Sequence, residues 1–216
     1  VDRGDDPSFA AAFLDMDDDG DADLYLANDH GTNCAVFHNH LFRNDGGVFT
    51  DVTDAATEAC LDAMCVAVGD FDGDGRQDLF STNTPAGHAL MLNRGRRPWL
   101  RAEKQAGVAG FAVGWGASFL DFDNDGRLDL HVCHANARNR LFRNTDRWPV
   151  EDVSKATGLD DPSQSYASAT ADVDGDGDLD LLVGARGVPV RLHINHAGST
   201  RRWIAFDVVG RGEPQS

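Results

Sequence analysis

Positive charge is scarce in this chain. Nineteen basic residues stand against 36 acidic ones over 216 positions, a formal net charge of −17. Such a surface repels a phosphate backbone instead of displacing its counterions, which argues against nucleic acid as a partner. No apolar run approaches the ~20 residues of a membrane-spanning helix. Also missing are a G-x-S-x-G nucleophile elbow, a P-loop and a dinucleotide fingerprint after a strand. No small-molecule substrate is therefore evident, and an enzyme is the less favoured reading. Cysteine is sparse: Cys34, Cys60, Cys65 and Cys133 lack the C-x-x-C spacing of a zinc site and allow three disulfide pairings. Cys60 and Cys65 are near enough in sequence to bridge locally; the alternative is four reduced thiols packed as small core side chains. The opening residues Asp2, Arg3, Asp5 and Asp6 do not form a secretory leader, so any targeting segment is expected to have been removed or left out.

What the chain has in excess is one acidic phrase written four times: DMDDDGDADL at 15–24, DFDGDGRQDL at 70–79, DFDNDGRLDL at 121–130 and DVDGDGDLDL at 172–181. The leading aspartates Asp15, Asp70, Asp121 and Asp172 are 55, 51 and 51 residues apart. A second marker keeps the period: Asn44, Asn93, Asn144 and Asn195 follow the last loop aspartate by 21, 15, 15 and 15 positions. The first repeat thus holds six extra residues, around DHGTNCAV. A fixed period of this length signals a repeat architecture.

Within each copy, aspartates at loop positions 1, 3, 5 and 9 supply hard oxygen donors, glycine at position 6 permits a sharp turn, and position 7 offers its carbonyl. That is the donor logic of a calcium loop, and so many carboxylates suit calcium better than the smaller magnesium ion. The candidate carboxylates are Asp15, Asp17, Asp19 and Asp23; Asp70, Asp72, Asp74 and Asp78; Asp121, Asp123, Asp125 and Asp129; and Asp172, Asp174, Asp176 and Asp180. The candidate carbonyls belong to Asp21, Arg76, Arg127 and Asp178. An EF-hand would place a glutamate at position 12, where this chain has Leu26, Ser81, Val132 and Val183. Up to four Ca²⁺ are expected, taking the formal charge from −17 to about −9, since each unrelieved carboxylate cluster repels itself. Extracellular calcium modules bind with Kd of roughly 10⁻⁴ to 10⁻³ M, which favours an extracytoplasmic (secreted or periplasmic) site of action.

After each loop comes a short apolar run, DLYLAN, DLFSTN, DLHVCH or DLLVGA, that reads as a buried strand. Before each loop lies a small-residue run, AAAFL, CVAVG, GASFL or ASATA, suited to crowding around an axis. Outer hairpins follow, such as HLFRN-DGG-VFTDVT with its glycine turn. Four antiparallel strands per repeat of about 50 residues is the size of a β-propeller blade. The expected fold is all-β: one domain over 1–216, with blades near 8–54, 62–104, 112–155 and 165–209. It forms either a closed four-bladed ring or, as favoured here, an open arc. An arc bares apolar faces and strand edges and so implies a protein partner or further chain.

DFDGDGRQDLFSTN and DVDGDGDLDLLVGA resemble the FG-GAP or VCBS repeats of integrin-α-type propellers and many secreted bacterial proteins. LFRNDGGVFTDVTDAA is similar to the cartilage acidic protein and UnbV group, and NHAGSTRRWIAFDVVG resembles the start of the ASPIC/UnbV segment. The resemblance implies a calcium-binding propeller with more blades than four and, through UnbV-like members, an alternative role in enediyne-type natural-product assembly at the propeller axis.

Other features point less sharply. Of eight histidines, His38 and His40 alternate along a strand, His131 with His134 and His193 with His196 show no metal spacing, and His30 and His134 are the candidates for a site near the axis. Trp99, Trp115, Trp148 and Trp203 offer sugar-stacking faces, hence a lectin-like alternative, although three of them fall where outer strands pack. Arg3-Gly4-Asp5 spells an adhesion tripeptide near a terminus. Arg94, Arg96 and Arg97 read as a solvated hairpin tip. The leading expectation is a calcium-stabilised interaction or scaffold module.

Overall fold

The computed structural model describes residues 7–29, 38–84, 86–145 and 147–197. Four antiparallel sheets follow one another along the chain. The first contains β1 (Ser8–Leu14), β2 (Asp23–Asn28), β3 (His40–Asp45) and β4 (Val48–Asp51); the second β5 (Val66–Gly69), β6 (Asp78–Ser81), β7 (Ala89–Leu92) and β8 (Leu100–Arg101). A single-turn helix, α1 (Glu103–Ala106), leads into β9 (Gly114–Leu120), β10 (Asp129–His134), β11 (Arg140–Arg143) and β12 (Glu151–Asp152). The fourth sheet holds β13 (Ser165–Ala171), β14 (Asp180–Ala185) and β15 (Arg191–His193). Its outermost strand, expected before residue 209, lies outside the described residues. Every sheet is a meander of sequence neighbours, the arrangement of a propeller blade.

Local chemistry sets these elements. Gly46 and Gly47 both take positive φ, 61° and 92°, and join β3 to β4 with Asp45 opposite Val48; a two-residue turn of this hand matches strand twist. The inner strands pack in chain order, β1 on β5, β5 on β9 and β9 on β13. Small residues permit that approach: a Cβ on Gly116 would meet the Ala167 Cα at 2.9 Å.

Burial follows position in the series. β6 and β10, covered on both faces, are buried along their whole length. β1 and β13 alternate, one set of side chains covered and the other exposed. Leu14, Tyr25 and Leu41 meet Leu79, Met91 and Trp99 between blades 1 and 2; Phe71, Phe80 and Leu92 meet Leu130, Val132 and Val150 between blades 2 and 3. Between blades 3 and 4 the described core narrows to Cys133, Leu181 and Val183. No comparable packing returns from β13 to β1, so among the described residues the blades form an open arc and the closed four-bladed alternative is not adopted. No helix among those residues is long and apolar enough to cross a membrane.

The local Cys60–Cys65 bridge is not formed. Cys60 is disulfide-bonded, whereas Cys65 and Cys133 are free thiols. The Cys65 thiol turns across the junction toward the Ala117 carbonyl, 3.7 Å away, and burial raises its pKa.

Candidate metal centres

The four acidic loops share one wiring pattern. The first aspartate accepts the amide of the sixth residue: Asp15 from Gly20 at 3.1 Å, Asp70 from Gly75 at 2.9 Å, Asp121 from Gly126 at 2.8 Å and Asp172 from Gly177 at 3.0 Å. The fifth accepts the amide of the seventh, Asp19 from Asp21, Asp74 from Arg76, Asp125 from Arg127 and Asp176 from Asp178. Closing the loop takes two left-handed residues. One is the expected glycine at position 6. The other is position 4, filled by Asp18, Gly73, Asn124 and Gly175, with φ between 53° and 79°. Those residue types tolerate this region best, so the restriction at position 4 was readable in the sequence.

The ninth aspartate is a structural knot. One oxygen accepts the amide of loop position 2 and the other accepts the amide of the marker asparagine: Asp78 takes Phe71 and Asn93 at 2.9 and 2.8 Å, Asp129 takes Phe122 and Asn144 at 3.0 and 2.7 Å. Asp23 and Asp180 repeat the pair. Each carboxylate oxygen has two lone pairs, so these bonds leave donor capacity facing the loop.

Carboxylate oxygens of Asp70, Asp72 and Asp78 lie within 4.8 Å of one another, as do those of Asp121, Asp123 and Asp129, of Asp172, Asp174 and Asp180, and of Asp15, Asp17 and Asp19. Gathering them carries an electrostatic cost. Burial, with the neighbouring Asp72 charge, pushes Asp78 up to about 7; burial, with Asp123 and Asp121, does the same to Asp129. Asp17, Asp23 and Asp72 are also raised, burial being the largest cause in each. Arginine side chains are drawn to two of the clusters and a histidine to a third. Arg94 Nη1 is 2.9 Å from Asp72 Oδ2, Arg143 pairs with Asp123, and His196 Nδ1 is 3.2 Å from Asp176 Oδ2. Hard oxygen donors that already attract positive charge fit a divalent cation such as calcium; the positions that would hold it are 1, 3 and 9, with position 5 taking the place of position 9 in the first loop.

The asparagines couple each loop to the blade before it. Asn93 Nδ2 donates to Met16 O at 2.7 Å, Asn144 Nδ2 to Phe71 O at 2.6 Å and Asn195 Nδ2 to Phe122 O at 2.6 Å. Each carbonyl is position 2 of the preceding loop. Aromatic packing follows the same line: Phe119 stacks on Phe71 with centroids 5.2 Å apart, and Trp148 covers Phe71 at 6.1 Å.

The remaining candidates separate. His134 does not open onto the axis: it is buried, its Nδ1 meets Arg138 O at 2.8 Å, and its Nε2 meets His88 Nε2 at 3.3 Å. Because His88 Nδ1 accepts the Asn83 amide, the pair is consistent with His88 donating to His134, both neutral. His38 and His40 are ring neighbours at 4.5 Å. Trp99 and Trp148 pack between blades, while Trp115 lies edge-on to Tyr166 and Phe9 at the inner strands. Arg94, Arg96 and Arg97 are exposed at the hairpin tip as expected, and two of them are also ion-paired: Arg97 reaches Asp54 at 3.3 Å, and Arg94 reaches Asp72 of the second loop. His30, Trp203 and Arg3-Gly4-Asp5 lie outside the described residues.

Comparison with known proteins places this architecture. No curated protein sequence matches the chain significantly. A crystal structure of BBS1N in complex with ARL6DN, soaked with lead, superposes with a TM-score of 0.54 at 12% identity, over 89% of this chain and 54% of that one. The likeness is one of fold, and this chain spans about half the length of that relative. A model of the FG-GAP-like repeat matches three overlapping windows, 15–81, 70–132 and 121–183, each running from one acidic loop through the strand after the next. The chain belongs to the FG-GAP-like repeat family.

Proposed function

We propose that this protein is a calcium-stabilised interaction module that works outside the cytoplasm and binds another protein through its blade surfaces. The observation that carries the reading is the shared use of each acidic loop. The ninth aspartate both faces the carboxylate cluster and fixes the asparagine that reaches the preceding blade, so an ion bound there would stiffen the junction between blades. Calcium supplies the positive charge that the cluster requires, and Asp70, Asp72 and Asp78 with their three counterparts would hold it. Extracellular calcium is abundant enough for modest sites, and the bonded Cys60 accords with an oxidising compartment. The apolar end faces accord with a partner or further chain, and the similar fold of BBS1N is seen in complex with ARL6DN.

Thermal melting with and without chelator tests the calcium component. Four sites filled to ten times Kd would contribute about 6 kcal/mol, equivalent to about 10 °C or more in a chain of this size. A melting temperature unmoved by chelator overturns that component. For the interaction component, isolation from the native source should return a reproducible assembly with a second protein; a lone chain turning over a small molecule would overturn it.

A further inference from the structure

Neighbouring acidic loops meet across the blade junctions, and they meet at fixed loop positions. At the junction of blades 3 and 4, Asn124, position 4 of the third loop, donates its Nδ2 to Asp178 Oδ1 at 2.7 Å and to Gly177 O at 3.2 Å. Those acceptors are positions 7 and 6 of the fourth loop. Between blades 2 and 3 the same positions face each other without such a bond: a Cβ on Gly73 would lie 3.7 Å from Arg127 Nη1. Between blades 1 and 2, Asp18 and Arg76 line one cavity.

The bonded pair sits where both loops are tightly wired. Position 7 is the residue whose carbonyl is a candidate ligand, and Asp178 is fully buried, whereas Arg76 and Arg127 are partly exposed. The Asp178 amide is held by Asp176 at 2.9 Å and the Gly177 amide by Asp172 at 3.0 Å. The groups that receive Asn124 thus belong to the wiring that gathers Asp172 and Asp176. On the other side of the bond, Asn124 has a φ of 53° and stands between Asp123 and Asp125 in the chain. A left-handed asparagine carries a backbone cost that a hydrogen bond offsets. Releasing that bond frees the stretch that presents positions 3 and 5 of the third loop.

We propose that Asn124 is a positioning residue that couples the third and fourth loops, so that a divalent cation held by either one raises the affinity of the other. The proposal rests on the reading of the loops as calcium sites and adds how two of them communicate. Order in Gly177 and Asp178 fixes the acceptors, the acceptors fix Asn124, and Asn124 sets Asp123 and Asp125; by linkage the effect is equal in both directions. The sign separates this route from the electric field. Positive charge added at the fourth loop weakens the negative potential that draws a cation to the third, so charge alone would set the two loops against each other. Mutual strengthening reports the hydrogen bond.

Calorimetric calcium titration of the full chain, with the first and second loops silenced by Asp15→Asn and Asp70→Asn, provides the test. The third loop alone is measured with the fourth silenced by Asp172→Asn, and the fourth alone with the third silenced by Asp121→Asn. The overall constant for filling both loops together, divided by the product of the two single-loop constants, is the coupling factor. It should be about five, at the lower end of ordinary coupling between sites. In Asn124→Gly it should fall to unity or below. Glycine already fills position 4 of the second and fourth loops, as Gly73 and Gly175 with φ of 74° and 79°, so this variant keeps the backbone turn and removes the bond. A factor of unity or below with Asn124 in place overturns the proposal while leaving the calcium reading intact, and a factor that persists in Asn124→Gly overturns it as well. Absence of calcium binding at every loop overturns the calcium reading and the coupling with it.

Discussion

The junction between blades 2 and 3 and the free faces of blades 1 and 4 are built from the same repeat, yet they present opposite environments. At the junction, position 2 of the loop is Phe71, 1% exposed and enclosed by Phe119 and Trp148. At the free end the equivalent Val173 is 53% exposed. A propeller-type blade therefore does not bury its own apolar residues; the next blade does, and stability resides in the junctions. The sharpest way to break the comparison is truncation on both sides. Phe71→Ala should cost about 3–5 kcal/mol, as large-to-small core changes do, while Val173→Ala should stay within about 0.5 kcal/mol of the parent chain, both read by urea unfolding of the monomeric species.

The polar half of the junction should divide the same way, with a smaller spread. Asn144 Nδ2 serves both Phe71 O and Leu128 O, and Asn144 Oδ1 accepts from Trp148 Nε1 at 3.3 Å. Asn144→Ala strands buried partners and should cost about 2–3 kcal/mol. Asn44→Ala, losing two exposed bonds, to Ala22 O and from Gly47 N, should cost about 1 kcal/mol in the same assay.

A pH series sharpens the contrast. Burial, then the neighbouring His134, pushes His88 down to about 3, and burial lowers His134 as well. An unfolded histidine titrates near 6.5. Below that pH the unfolded chain takes up protons that the native junction refuses, so the contribution is fully present above about 6.5 and is lost as pH falls toward 3. Between pH 7 and pH 5 His88 should remove about 2 kcal/mol of stability. His88→Asn should shrink the difference between the two pH values by about that amount; urea midpoints at the two pH values measure it.

Much of this was legible in the residues. The spacing of Asp70, Asp72 and Asp78 gave the converging carboxylates, Gly75 the turn, and DLFSTN the buried strand, because each depends on neighbours within one loop or strand. Asn93 and Asn144 stood out as period markers, but their destinations did not. Met16 O is 77 residues from Asn93, and Phe71 O is 73 from Asn144. Which carbonyl lies across a junction depends on how blades stack, and a repeat pattern does not state that. The same holds for His88 and His134, 46 positions apart. Arg94 and Arg143 stay within their own blades, 22 and 20 positions from Asp72 and Asp123; the hairpin that folds each back on its own acidic loop was readable, but the ion pair was not. Cys60 and Cys65 misled for the opposite reason: short separation in sequence suggested a bridge, while β5 carries Cys65 toward blade 3.

The arginines give the smallest expected effect and the most direct test of what the loops are for. In the third loop the Arg143 guanidinium reaches Asp123 and lies 3.8 Å from Asp125, occupying the charge that a divalent ion would otherwise supply. In the first loop Arg43, at the same place in its blade, is turned to Asp45, 2.7 Å away. If both loops are cation sites, the third must displace a tethered competitor and the first need not. One unit charge at about 4 Å is worth about 1 kcal/mol in a water-like dielectric, so Arg143→Ala should tighten calcium binding at the third loop about fivefold. Arg43→Ala should change the first loop by less than about twofold, given an exposed pairing of little energetic weight. Calorimetric titration of single-loop variants, the other loops silenced by asparagine at position 1, would measure both. Equal responses would mean that the arginines are spectators; weakened binding in Arg143→Ala would make the guanidinium a structural member of the loop and not a stand-in for the ion.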